Sequence, residues 1–222
     1  MDRTPSLDRS LDPSRCLDAT SFIDCHSRAI RERSERIVGD ADARGRAIRL
    51  FQYVRDEVSY EFRAKLGRHE YEASRVLVEG KGFCVQKAVL LCALLRAADV
   101  PAAIVLCDMR DHSLPKRIVE AMRTDTLFHH GLNAIFVDGR WLLADASLSP
   151  DVVTRKRYRR TEFTADGDAI FPSTTLDDRP HAEILRYHGM YADLPFEQTT
   201  AAFLRAYGDA DLVTLGEMGF RF

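Results

Sequence analysis

The chain has 222 residues, 45% of them apolar and 30% charged, enough to enclose one sizeable core with appendages. Its net charge of −2 gives no electrostatic case for a nucleic-acid or membrane-surface partner. Five cysteines (Cys16, Cys25, Cys84, Cys92 and Cys107) form no CxxC pair, which argues against both a disulfide framework and a zinc site.

In chain order, residues 1–18 are rich in Ser, Pro, Asp and Arg and lack the apolar stretch of a secretory signal. They read as a flexible tail on a cytoplasmic protein. Ser27 to Ile37 and Ala41 to Val58 read as helices, the second from Ile48, Phe51, Val54 and Val58 at spacings of three and four. The polar stretch Glu61 to Glu79 is expected to wrap past the mouth of a site at the turn that follows, Gly80-Lys81-Gly82. Cys84 then opens a strongly apolar helix over residues 84–98, whose run Ala88 to Leu95 falls far short of the roughly 20 residues of a membrane span. Pro101 opens a strand through Cys107, and residues 108–127 form an insertion that reads either as a lid or as a surface connection.

Phe128 to Ser147 contains two strand-like runs flanking Asp138-Gly139, a strong hairpin signal. With a two-residue turn, Val137 faces Arg140, Leu132 faces Asp145 and His130 faces Ser147. His130 and Asp145 then become diagonal neighbours on one sheet face, with Cα atoms about 7–8 Å apart. Beyond Pro150 the chain is polar up to Arg179. It includes the basic run Arg155 to Arg160, expected to be a solvated loop, and then Ala182 to Met190 and Phe196 to Tyr207 read as two short helices. The expected division is a tail over 1–18, a catalytic core over 19–150 and an extension over 151–222 packed on that core.

The chemistry centres on Cys84. A helix N-terminus carries unpaired backbone N–H groups and partial positive charge, which favour a thiolate and can hold a developing oxyanion. His130 supplies a base that can return the proton, and Asp145 a carboxylate to fix its tautomer and stabilise the imidazolium. Gln86 and Ser147 are weaker candidates for the oxyanion or substrate contacts.

This order of a helix opening on Cys84 and a hairpin bearing His130 and Asp145 resembles the transglutaminase-like superfamily over roughly residues 40 to 150. It departs from the common pattern at Leu132, often aromatic in relatives, and at Asp145-Ala146, commonly Asp-Pro. The resemblance implies an α+β fold of papain-like, transglutaminase-like type, with the Cys-bearing central helix packed against an antiparallel sheet. It also implies a cofactor-independent thiol enzyme acting on amide or acyl groups of a protein or peptide, by hydrolysis or by transfer to an amine. Hydrolysis is favoured because a small domain offers no evident platform for a second substrate. The rival class is a silent peptide-binding module on the same fold.

Other pairings are weaker. Cys25 and His26 are sequence neighbours that point about 100° apart on a helix, and Cys107, read with His112, would end a strand without a helix-terminus field. His129 points to the opposite sheet face from His130 and is expected at the surface or behind the site. No ligand spacing for a metal and no glycine-rich phosphate loop occurs.

Overall fold

The computed structural model describes residues 5–208. A single 3-10 turn, Pro13–Cys16, precedes α1 (Arg28–Val38) and α2 (Ala43–Glu57). Both helices start at a polar cap. Ser27 accepts from the Ile30 N–H and Asp42 from the Gly45 N–H at 2.8 Å. The two-residue strand β1 (Ser59–Tyr60) lies parallel to β2 (Lys81–Gly82), and between them a second 3-10 turn leads into α3 (Ala73–Glu79). Gly80 ends α3 at φ 64°, a left-handed conformation that suits a residue without a Cβ and turns the chain into β2.

The central helix α4 (Cys84–Ala97) is buried from Cys84 through Arg96, which explains why its sequence is apolar on every side. It packs on a four-stranded antiparallel sheet built from β3 (Ala102–Asp111), β4 (Thr126–Val137), β5 (Arg140–Ala144) and β6 (Ala182–Tyr191), in the order β5-β4-β3-β6. Three short helices complete the described chain: α5 (Lys116–Met122), α6 (Pro150–Lys156) and α7 (Phe196–Tyr207). The fold is α+β. One sheet face, with Ile104, Leu106, Ile135 and Leu142, joins the core shared with α4, while the other gathers Val105, Cys107, Leu132 and Trp141.

Three expectations are corrected. Residues 7–16 are not a loose tail. Cys16 is fully buried against the outer sheet face, the Trp141 indole N–H donates to the Leu11 carbonyl at 2.9 Å, and Arg9 pairs with Asp168. Ala182 to Met190 is a strand rather than a helix. It pairs antiparallel with β3 as the sheet's edge, through two register shifts that blur its alternation, with Gly189 at φ 143°. The β4–β5 ladder starts as expected at Val137↔Arg140 around Asp138-Gly139, with φ 53° and 76°, but its pairing ends at Asn133↔Ala144. Leu132 and Asp145 are therefore not ladder partners, and neither are His130 and Ser147. Of the C-terminal extension, residues 209–222 lie outside the described residues.

Two buried cations tie α4 to its surroundings. Lys87 donates to the Val58 carbonyl at 2.7 Å, at the end of α2. Arg96 donates to the carbonyls of Asp18 (2.7 Å), Ala102 (2.8 Å) and Ala192 (2.6 Å), so one guanidinium joins the N-terminal segment, the start of β3 and the chain after β6. Among the described residues no helix is long and apolar enough to cross a membrane.

Candidate active site

The extended Phe83 caps α4, and Cys84 is its first residue. Gln86 holds this start in place, its Oε1 accepting from the Phe83 N–H at 3.3 Å and its Nε2 donating to the Glu70 carbonyl at 2.7 Å. Both ends of that amide are engaged. Gln86 therefore braces the Cys84 turn, with one of its two Nε2 N–H donors bonded to Glu70.

The sheet meets this helix end at unusually short range. A Cβ on Gly131 would lie 2.7 Å from the Val85 Cα, so glycine is what lets β4 approach the α4 backbone. One turn further, the Asn133 amide donates to the Ala88 carbonyl at 2.9 Å. On the other side of Gly131, the β3–β4 register passes from Cys107↔His130 to Met109↔Leu127, leaving one extra residue in β4. His129 sits in this bulge at φ 50°, and its N–H donates to Asp108 at 3.2 Å. His129 is buried rather than at the surface. Its ring lies 4.1 Å from that of His188, and burial lowers its pKa to about 4.

His130 and Asp145 do meet. The distance from His130 Nε2 to Asp145 Oδ2 is 2.7 Å, with both side chains almost fully buried. Asp145 lies just past β5. Its N–H donates to the Ala169 carbonyl at 2.8 Å, and its Oδ1 accepts from the Ser147 N–H at 3.0 Å and the Ser147 hydroxyl at 2.5 Å. Ser147 is thus the support of the carboxylate and not a cross-strand partner of the imidazole. With Nε2 engaged, Nδ1 is the nitrogen left for the Cys84 thiol. It forms no well-aligned hydrogen bond here. Burial disfavours the imidazolium, but the Cys84 and Asp145 charges together with the Asp145 hydrogen bond outweigh it, holding the His130 pKa well above 6.5.

The rival thiols are poorly placed. Burial pushes the Cys25 thiol up, and its sulfur faces the Leu17 carbonyl. Burial drives Cys107 far above the ordinary thiol range, while His112 pairs with Glu183 at 3.4 Å instead. Among the described residues no cluster of three or more His, Cys, Asp or Glu could hold a metal.

A small cavity of about 50 Å³ opens beside Cys84, walled by Tyr60, Phe62 and Phe83 and roofed by Met122, Leu127 and Phe203. The stretch after Glu61 and the 108–127 insertion therefore both border the site. A larger cavity of about 550 Å³ reaches the His130–Asp145 pair among Cys107, Ile170 and Phe171. Phe171 packs on the His130 ring at 5.5 Å between centroids, a contact that no local sequence signal announced.

The profile of the Transglutaminase-like superfamily matches residues 31–146, more than half of the chain, and the protein belongs to that superfamily. Among solved structures, a candidate cysteine protease from Cytophaga hutchinsonii aligns at 17% identity and TM-score 0.47, over 82% of this chain and 55% of its own. A candidate protease from Parabacteroides distasonis aligns at 13% identity and TM-score 0.40, over 61% of this chain and 25% of its own. The chain thus spans about half the length of the first and a quarter of the second. No curated protein matches it.

Proposed function

We propose that the protein is a thiol hydrolase of amide bonds in peptides, with Cys84 as nucleophile, His130 as general base and acid, and Asp145 as the group that orients His130. The observation that carries this reading is the 2.7 Å His130–Asp145 contact beside a cysteine that opens a buried helix. Cys84 attacks the amide carbonyl as its proton passes to His130, and the oxyanion is met by the positive end of α4, including the Cys84 N–H. Collapse of the tetrahedral adduct expels the amine, which takes the proton from His130. Water, deprotonated by the same imidazole, then attacks the thioester and releases the acid. An amine in place of water would give acyl transfer. Residues 19–150 would carry this chemistry, with the later segments packed around it.

A silent binding module is the second reading, favoured by one observation: Cys84 is only 8% exposed and His130 2%. One experiment separates the two. In the thiol hydrolase, iodoacetamide modifies Cys84 before Cys16, Cys25, Cys92 and Cys107 and at pH well below about 8.5, and a peptide panel followed by mass spectrometry shows cleavage that Cys84→Ser abolishes. Uniform labelling, or cleavage that survives Cys84→Ser, overturns the proposal.

A further inference from the structure

The cavity beside Cys84 is hydrocarbon on nearly all sides, and its tyrosine at the α7 end has no hydroxyl to spare. Tyr207 Oη accepts from the Phe128 N–H at 2.8 Å and faces the Thr126 carbonyl at 3.4 Å. At about 50 Å³ it has room for about three to five heavy atoms, at roughly 10–15 Å³ for each. That admits a valine or leucine side chain, whose apolar surface matches the walls. A glutamine or lysine head placed there would give up its water for walls that are almost entirely hydrocarbon.

One charge breaks this wall. Arg63 lines the same cavity, and its guanidinium has neither an ion pair nor a hydrogen bond among the described residues. The other cations of this stretch are all matched: Lys65 to Glu79, Arg68 to Glu197, Arg75 to Glu79 and Lys81 to Glu61. A guanidinium without a partner among the described residues, lining an apolar pocket beside a nucleophile, is the complement of a carboxylate adjoining an apolar group.

We propose that the acyl donor is a peptide with a small branched apolar side chain seated beside Cys84 and a carboxylate bound by Arg63. This rests on the thiol chemistry proposed above. The site thereby discriminates against glutamine as the seated residue. The carboxylate belongs either to an acidic side chain or to the peptide's own C-terminus.

The test is the rate of Cys84 labelling, read by intact mass, with a panel of peptidyl vinyl sulfones, to whose alkene the thiolate adds while the imidazolium supplies the proton. The seated residue is Val, Phe or Gln, and the neighbouring group is Glu, Gln, a free C-terminal carboxylate or its amide. Val labels at least about tenfold faster than Gln, and a carboxylate at least about tenfold faster than its amide. The Glu and C-terminal arms identify the source of the carboxylate. Arg63→Ala removes the carboxylate preference without slowing iodoacetamide, Arg63→Glu turns it toward a Lys-bearing probe, and Ala64→Leu shifts the seated residue toward Gly. A preference for Gln, or an unchanged carboxylate preference in Arg63→Ala, overturns the assignment while leaving the thiol reading intact. Failure of iodoacetamide to select Cys84 removes the thiol reading and this assignment with it.

Discussion

The frame that carries Cys84, His130 and Asp145 and the roof that covers them are held in different ways. The frame rests on backbone approach and buried hydrogen bonds: Gly131 against Val85, Asn133 on the Ala88 carbonyl, and Ser147 and Ala169 on Asp145. The roof rests on side-chain packing from separated segments, as in the 6.0 Å contact between the Phe83 and Phe203 rings. Residue 203 also lies outside the stretch 31–146 that matches the superfamily. Contacts of the first kind tolerate almost no displacement, whereas contacts of the second kind can be exchanged volume for volume. Reactivity should therefore reside in the frame and selectivity in the roof.

The sharpest way to break this division is Cys84→Ser, which should abolish turnover and leave the thermal transition in place. Asp145→Ala comes next, with turnover lowered by about 10² to 10⁴. Because Asp145 helps to hold the imidazolium proton above pH 6.5, its loss should move the alkaline limb of the pH–rate profile to lower pH. A limb that stays in place would separate Asp145 from His130 function. Gly131→Ala should lower both stability, by about 1–3 kcal/mol, and Cys84 alkylation by iodoacetamide, since the added methyl must push β4 from the α4 backbone. Phe203→Ala should act on the roof alone, changing KM and the ranking of substrates while iodoacetamide labels Cys84 at an undiminished rate. Equal losses in both assays would erase the distinction.

Lys87→Met has the smallest expected effect on turnover and is read by stability. Burial lowers the Lys87 pKa from 10.5 to about 7, so between these values the unfolded chain binds more protons than the folded one. Stability attributable to Lys87 therefore rises with pH across that window, and the cost of the buried charge is fully present only below about pH 7. Denaturant melts at pH 6 and pH 9 should show the variant losing ground to the wild-type protein by about 3 kcal/mol on going to the higher pH. No drift would place the amine in a better-solvated setting.

The frame was largely legible because its signals are local. Gly80-Lys81-Gly82 announces a turn before Cys84, and Asp138-Gly139 sets the hairpin that brings His130 to Asp145. What the pattern missed depends on distant partners. Asp145 leaves the ladder because its N–H goes to the Ala169 carbonyl, and Phe171 reaches His130 from the same later segment. Ile184, Leu185 and Met190 give no clean period, since β6 is a bulged edge strand whose place is decided by β3. Likewise, a few anchors such as Leu11 and Cys16 are enough to seat a segment whose composition suggests solvent.

The reach of Arg96 bears on how the molecule may be divided. Its guanidinium takes the Asp18 and Ala192 carbonyls, one on each side of the stretch 31–146 that carries the superfamily match. Cutting the chain to that stretch would leave a charged group at the foot of the central helix with only Ala102 to receive it, deep in the protein. The stretch that matches the superfamily is therefore shorter than the stretch joined through Arg96: excised, it should misfold or recruit water to its base, and it needs both flanks, from residue 18 through residue 192, to keep these bonds.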